Sequence, residues 1–234
     1  MTEAAPHSLA FTGETSQGAR PLMAVIENLV IAGWTGRDAA AVEAHIAELE
    51  RLGVKRPKTA PIFYRVAASL LTTAPAIEVA GPDSSGEVEP VILSLADGLW
   101  VGVGSDHTDR KAEAVGITLA KQLCAKPVSP GLWRYDEVAD HWDALVLRSH
   151  ATVAGRRRLY QEGPVAALRP PAELMAKYLK SNGILPSGTA MFCGTLAVHG
   201  EIAAADRFEI ELADPVLGRR LVHAYEIRPL PVEG

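Results

Sequence analysis

A single turn signal between two apolar runs constrains this chain more than any other feature. Residues 88–95 and 99–103 are rich in apolar side chains, and Asp97-Gly98 lies between them. Asp-Gly in that setting is among the strongest local signals for a two-residue β-hairpin loop. With Asp97 and Gly98 as the loop, going outward along the two strands places Glu89 directly opposite Asp106.

Three acidic side chains are expected to gather at the open end of this hairpin. Opposed residues have Cβ atoms about 4.5–5.5 Å apart, and Glu87 lies two residues before Glu89, so both project from one face. Because like charges opposite each other destabilise a sheet, a divalent cation with oxygen ligands would compensate them, and Mg²⁺, Mn²⁺ or Ca²⁺ fits such a site. The alternative is a solvent-facing strand whose acids are hydrated.

A helix supplies a second candidate pair. Asp38 is a typical N-cap, and the pattern predicts a helix over residues 39–52 that ends at Gly53. His45 and Glu48 are three residues apart and therefore share a helix face. A carboxylate there can fix the tautomer of the imidazole and raise its basicity, so that the pair activates a water molecule. The alternative is a surface helix with an incidental contact.

The composition is that of an ordinary globular chain with a real core. Of its 234 residues, 48% are hydrophobic and 22% are charged. Predicted strands outnumber predicted helices, and no internal repeat or linker divides the chain. We therefore predict a β-dominated α+β fold, with residues 1–22 as an N-terminal tail or hairpin arm and residues 23–234 as a single domain.

The charge pattern and the cysteines argue against several kinds of partner. The formal net charge is −5, and one tight basic run, Arg156-Arg157-Arg158, gives no footprint for nucleic acid. Two cysteines without a CxxC pair favour a reducing compartment. The first eight residues lack the pattern of a signal peptide, and no apolar run approaches the roughly 20 residues that span a bilayer. By elimination, we expect a cytoplasmic protein without a membrane partner.

Five sequence blocks carry a family resemblance. They are His45-x-x-Glu48 ahead of Pro61-Ile62-Phe63, Glu87-x-Glu89, Asp106-x-Thr108-x-Arg110, Lys121 ahead of Pro127, and Gly194-Thr195 after the turn Leu185-x-x-Gly188. In these blocks, over roughly residues 25–228, the chain resembles the catalytic-domain portion of the fumarylacetoacetate hydrolase superfamily.

The resemblance implies a homodimer with a mixed β-roll or sandwich of the fumarylacetoacetate hydrolase C-terminal-domain type and a few helices. It implies one Mg²⁺ or Mn²⁺ ion, with Ca²⁺ as a substitute in crystals, held by Glu87, Glu89 and Asp106. The residues with further implied roles are His45, Glu48 and Lys121 in catalysis, and Arg110, Thr108, Thr195 and Arg65 in substrate binding.

The implied reaction is hydrolytic C–C cleavage of a small acylpyruvate-like diketo acid. His45, oriented by Glu48, would take a proton from water, and Lys121 would neutralise developing charge. Arg110 would orient the substrate or, alternatively, hold the carboxylates in place. Two other hypotheses stay open: a keto-acid decarboxylase or keto–enol isomerase with the same metal site, and a ligand-binding protein of the same fold without turnover.

The chain also departs from the pattern of the superfamily. Lys111 stands where an acidic residue is usual, Cys193 replaces the first threonine of Thr-Gly-Thr, and Arg65 replaces a lysine. His107 and His199 are additional polar residues that we expect near the site. These departures indicate a divergent branch and leave the acyl group of the substrate open.

Overall fold

Strands dominate the computed structural model, which describes residues 7–51 and 56–233 apart from the side chains of His45 and Leu49. The strands are β1 (His7–Thr15), β2 (Gly18–Ile26), β3 (Asn28–Gly33), β4 (Ile62–Val66), β5 (Leu71–Thr72), β6 (Ala76–Ala80), β7 (Ser84–Ser85), β8 (Val88–Leu95), β9 (Gly98–Ser105), β10 (Thr108–Asp109), β11 (Lys126–Pro127), β12 (Gly131–Arg134), β13 (Val146–Val153), β14 (Arg156–Pro164), β15 (Thr189–Phe192), β16 (Arg207–Asp214) and β17 (Arg219–Leu230). The α-helices are α1 (Ala39–Arg51), α2 (Ile117–Gln122) and α3 (Pro171–Leu179). Short 3₁₀ helices cover Ala68–Leu70, Ala112–Ala114, Tyr135–Glu137, Ala139–Ala144 and Val165–Ala167.

Two sheets organise the described residues. Eight strands form a mixed sheet in the order β2-β1-β12-β9-β8-β15-β3-β4, and five form a second sheet in the order β14-β13-β16-β17-β6. The expected β-dominated α+β fold is confirmed. The hairpin of β1 and β2 belongs to the large sheet, so residue 22 lies inside a strand of that sheet. No helix in the described part of the chain is long and apolar enough to span a membrane.

The large sheet is curled, and its two faces pack into different cores. Val88 and Ile92 of β8 pack between the two sheets with side chains of β13, β16 and β17. Val91 and Leu93 point to the opposite face and pack inside the curl with side chains of β1 and β2. Because side chains alternate along a strand, Glu89 projects into the curl with Val91.

The predicted loop of the central hairpin is wrong by one residue at each end. Leu95 pairs with Gly98, so the loop residues are Ala96 and Asp97. Gly98 takes a φ of +120° as the first residue of β9, a backbone conformation that favours glycine. The Asp97 carboxylate accepts a hydrogen bond of 2.9 Å from the indole N–H of Trp100. That contact holds Asp97 at the turn itself.

The corrected loop moves the strand pairing by two residues. Glu89 lies opposite Gly104 rather than Asp106. The Asp106 backbone N–H instead donates to the Glu87 carbonyl, with an N···O distance of 2.9 Å. A shift of two residues leaves each side chain on its face, whereas a shift of one would reverse them all. The acidic residues therefore still meet on one side of the sheet.

The helix that carries His45 begins as predicted. The Asp38 carboxylate accepts hydrogen bonds from the backbone N–H groups of Ala40 at 2.9 Å and Ala41 at 3.1 Å. The helix is described as far as Arg51, and its predicted end at Leu52 and Gly53 lies outside the described residues.

We predict that Asp38→Ala weakens this helix start by about 1 kcal/mol, because two N–H groups lose their acceptor. Asp38→Asn keeps an acceptor oxygen and should cost only a few tenths of that value. Hydrogen exchange of the amides of α1, read with the melting temperature, measures both effects. Equal protection in the two variants would remove the capping role.

Candidate metal centre

Three carboxylates meet at one end of the β8–β9 hairpin. Glu89 lies in β8, Glu87 directly precedes that strand, and Asp106 directly follows β9. One oxygen from each lies within 4.8 Å of the other two. Glu89 and Asp106 are buried, and Glu87 is half-buried. The cluster is therefore not the hydrated, solvent-facing set of acids that was the alternative.

A backbone N–H holds the Glu89 carboxylate. The N–H of Gly194 donates to Glu89 Oε2 at 2.7 Å. Gly194 follows β15, which lies next to β8 in the sheet, and its φ of +99° is in the region that favours glycine. A Cβ atom at Gly194 would lie 1.6 Å from Oγ1 of Thr35. The segment after β3 therefore packs directly against the backbone group that fixes Glu89.

Two lysines compensate the negative charge of the buried Asp106 carboxylate. Lys121 of α2 donates to Asp106 Oδ2, and Lys126 Nζ lies 3.3 Å from Asp106 Oδ1. Burial by itself raises the pKa of Asp106, but the two ammonium groups outweigh it and hold that pKa below its usual range. For Lys121, burial favours the neutral amine, yet the charges of Asp106 and Glu87 raise its pKa. Asp106 and Lys121 thus form a buried ion pair.

Glu89 has no comparable compensation among the described contacts. Burial, together with repulsion by Asp106, raises the pKa of Glu89 well above its usual value, and Lys121 offsets this only in part. A divalent cation bound between the three oxygens would favour the ionised form of Glu89. Carboxylate oxygens are the ligands that Mg²⁺ and Mn²⁺ prefer. The donor set and its uncompensated charge therefore fit such an ion.

Arg110 contacts the cluster through Glu87. Its Nη2 lies 3.0 Å from Glu87 Oε1, its Nε donates to Ser85 Oγ at 2.6 Å, and its Nη1 lies 3.1 Å from Glu113 Oε1. These three contacts hold the Arg110 guanidinium beside the carboxylates, and its role, orienting a substrate or holding the carboxylates in place, stays a prediction.

Two threonines assigned to substrate binding make internal contacts. Thr108 is fully buried, and its hydroxyl donates to the Asp106 carbonyl at 3.1 Å. The Thr195 hydroxyl donates to the carbonyl of Val88 at 2.8 Å and accepts a bond of 2.8 Å from Gln161 Nε2. Because the proton of Thr195 goes to Val88, its oxygen is left as an acceptor toward any ligand.

Arg65 is not brought to the acidic cluster. Its guanidinium donates to Asn28 at 2.5 Å and to Tyr178 at 3.2 Å. The adjacent Tyr64 is the residue of β4 that faces the site, with its ring centroid 5.7 Å from Lys121 Nζ. Alternation along the strand separates the two side chains.

The predicted general-base pair is only partly described. His45 lies on α1, but its side chain is outside the described part of the structure, and Glu48 of the same helix is exposed. The helix begins four residues after Thr35, which packs against Gly194 beside Glu89. The start of α1 therefore lies close to the end of the β8–β9 hairpin that carries the acids.

His107 and His199 differ in position. His199 is exposed, whereas His107 is fully buried, with Nδ1 3.0 Å from the Tyr225 hydroxyl and Nε2 2.9 Å from Ser84 Oγ. Burial, with the charge of Lys126, lowers the pKa of His107 to about 3, so the imidazole is neutral. The Tyr225 hydroxyl donates in turn to Ser105, at 2.8 Å. His107 therefore links β7 and β17 behind the end of β9, next to Asp106.

Sequence reasoning missed two buried residues at the centre. Lys126 contacts Asp106, and Gln161 reaches from β14 of the second sheet to the backbone N–H of Val88 at 3.0 Å. The sequence around Lys126, which precedes a proline, gives no local signal for burial. The same holds for Gln161, which lies in a strand rich in polar residues. Their roles depend on contacts between segments far apart in sequence.

Comparison with family models identifies the group to which the chain belongs. The model described as Protein of unknown function (DUF2848) matches residues 32–225. The chain belongs to the DUF2848 family. A search of curated protein sequences gives no match.

Solved structures show that this DUF2848 protein has the fold of the fumarylacetoacetate hydrolase superfamily. Fumarylpyruvate hydrolase from Pseudomonas aeruginosa, solved in complex with Mn²⁺ and pyruvate, aligns with a TM-score of 0.61 and 16% identity, covering 98% of this chain and 100% of that chain. A protein from Yersinia pestis CO92, named as a member of the fumarylacetoacetate hydrolase family, gives 0.62 and 17%, covering 93% and 100%. A 2-keto-3-deoxyarabinonate dehydratase gives 0.62 and 17%, covering 88% and 74%.

The predicted resemblance is therefore confirmed at the level of fold. The DUF2848 family model is consistent with the divergent branch that the departures in sequence indicated.

We predict that Gly194→Ala destabilises the protein more than Gly200→Ala. Both glycines have positive φ values, +99° and +85°, so each substitution should cost about 1–2 kcal/mol in backbone strain. A Cβ at Gly200 meets nothing within 4 Å, whereas at Gly194 it collides with Thr35. Overpacking should add about 1–3 kcal/mol at Gly194. Chemical denaturation measures the difference, and equal losses would contradict the close packing.

Proposed function

We propose that this chain is a divalent-metal-dependent hydrolase that cleaves a C–C bond in a small acylpyruvate-like diketo acid. The observation that carries the proposal is the convergence of Glu87, Glu89 and Asp106 oxygens within 4.8 Å of one another, beside the Lys121 ammonium. The fold shared with a Mn²⁺-bound fumarylpyruvate hydrolase supports it. A bound Mg²⁺ or Mn²⁺ would supply a Lewis acid for the keto and carboxylate oxygens of the substrate.

Lys121 would meet the negative charge that develops during cleavage. Its ammonium has three N–H donors, and one of them goes to Asp106. Lys121 is the one lysine of the pair whose side chain retains some exposure, at 8%. A fixed cation in a site that excludes water stabilises developing charge strongly.

The water molecule requires a base, for which His45 with Glu48 remains our proposal. In the balanced reaction, the water oxygen bonds to the acyl carbon and His45 accepts the proton. The bond between the acyl carbon and the carbon next to the keto group breaks, the electron pair stays with the carbon next to the keto group, and His45 returns the proton to that carbon. The products are a carboxylic acid and a pyruvate-like keto acid.

The homodimer and the cytoplasmic location stay predictions.

We predict that Glu89→Gln abolishes the binding of Mg²⁺ and Mn²⁺ while the fold is retained. The amide still accepts the Gly194 hydrogen bond but has no charge to offer the ion. Isothermal titration calorimetry with Mn²⁺ measures the loss, and circular dichroism checks the fold. Glu78→Gln, an exposed position on β6, is the control of equal charge. Undiminished binding in Glu89→Gln would remove this residue as a ligand.

We predict that His45→Ala keeps Mn²⁺ binding but slows acylpyruvate hydrolysis by about 10²–10⁴-fold. His150→Ala, on β13 of the other sheet, is the matched control and should leave the rate unchanged. Steady-state rates on a panel of acylpyruvates and oxaloacetate, with Mg²⁺, Mn²⁺ or chelator, provide the measurement. A parental rate of hydrolysis in His45→Ala would exclude His45 as the base.

The same panel tests the second candidate, keto-acid decarboxylation or keto–enol isomerisation. The dehydratase among the proteins of the same fold favours keeping it, because that protein is named for a reaction other than hydrolysis. Decarboxylation needs no activated water, so its rate should survive His45→Ala and still require the metal.

A further inference from the structure

Lys126 occupies an enclosed position behind Asp106. Its Nζ donates to the carbonyls of His107 at 2.5 Å, Lys121 at 2.6 Å and Cys124 at 3.1 Å. It also lies 3.3 Å from Asp106 Oδ1. The lysine side chain has no exposed surface at all. An ammonium in the interior of a protein is stable only when such oxygens replace water.

The two lysines beside Asp106 therefore differ in whether their ammonium groups can reach a bound molecule. The three N–H donors of Lys126 face four oxygen atoms of the protein, and the absence of exposed surface keeps a substrate away. Lys121 binds the other oxygen of the same carboxylate and retains some exposure. Any effect of Lys126 on chemistry must therefore pass through Asp106.

We propose that Lys126 is a built-in counter-ion of Asp106: a positioning residue that holds this carboxylate before an ion binds and lowers the affinity of the site for that ion. The inference rests on the proposed function, because it takes Asp106 as a metal ligand. A fixed positive charge 3.3 Å from Asp106 Oδ1 offsets part of the attraction between the carboxylate and a divalent cation.

The counter-ion role and a purely structural role predict opposite changes in metal affinity. Removing the charge leaves Asp106 more strongly attractive to a cation, so metal binding tightens even though the protein becomes less stable. If Lys126 only held the backbone carbonyls together, its loss would disorder Asp106, and binding would weaken or stay unchanged.

Lys126→Gln and Lys126→Met separate the charge from the hydrogen bonds. Glutamine keeps N–H donors for the carbonyls, whereas methionine keeps only the length and the apolar stem. Lys177→Gln on α3 removes an equal charge at an exposed position 44% accessible to solvent. Each full-length variant is titrated with Mn²⁺ by calorimetry, and its melting temperature is measured with and without Mn²⁺.

We expect both Lys126 variants to bind Mn²⁺ about tenfold more tightly than the parent. Their melting temperatures should be lower without the ion and should rise more on its addition, because at a given ion concentration a ligand that binds more tightly stabilises the folded state more. Lys177→Gln should match the parent in both measurements.

The other outcomes are distinct. Weaker or unchanged binding in both variants, with normal binding by the parent, overturns the role of Lys126 and leaves the proposed function standing. Failure of both variants to fold even in saturating Mn²⁺ also overturns it. If Lys126 served only as a counter-charge for Asp106, bound Mn²⁺ would supply that positive charge and restore folding. Absence of Mn²⁺ binding in the parent removes the proposed function and this inference together.

Discussion

The end of the sheet that carries the acids depends on the burial of the Asp106 carboxylate between two ammonium groups. A carboxylate taken out of water is stable only when charges and hydrogen bonds replace its hydration. Lys121 reaches Asp106 from α2, and Lys126 reaches it from β11. The strands near them, β10 and β11, pair with β7 and β5 over only two residues each. The buried ion pairs thus connect segments that backbone pairing alone holds weakly.

The space around Glu89 is made by glycines rather than by small side chains. Gly104 lies opposite Glu89 in the hairpin, and a Cβ atom there would lie 2.5 Å from the Phe192 ring and 2.7 Å from Val91. On the other side, Gly194 presents its N–H to the carboxylate. Backbone lies on both sides of Glu89, so the apolar core packs tightly around an acidic side chain while one of its oxygens stays within 4.8 Å of oxygens of Glu87 and Asp106.

The β8–β9 hairpin shows which parts of the acidic cluster could be predicted from the sequence and which could not. The apolar runs and Asp97-Gly98 predicted two paired strands, and the spacing of Glu87 and Glu89 predicted a shared face. The predicted register was shifted by two residues, an error that the two-residue period of a strand conceals, so the acids still meet. The N-cap at Asp38 could also be predicted from the sequence, because capping depends on neighbours in sequence.

Lys126 and Gln161 could not be predicted in the same way. Lys126 is defined by carbonyls of His107, Lys121 and Cys124, which converge only after β9, α2 and β11 are in place. Gln161 crosses from the second sheet to Val88 and Thr195. Spacing along one strand or helix carries no information about such contacts, and the superfamily blocks recognised in the sequence do not include either residue.

The charges of the cluster connect this architecture to the proposed substrate. The described groups in contact there are the four carboxylates of Glu87, Glu89, Asp106 and Glu113 and the three cations of Arg110, Lys121 and Lys126. With all four carboxylates ionised, the state that a bound cation favours for Glu89, their formal sum is one negative charge, so the chain itself balances most of the charge of the cluster. A divalent ion changes that sum to one positive charge. An anionic keto acid, the substrate class proposed above, would be attracted to a site with that positive charge, so its binding would depend on the ion.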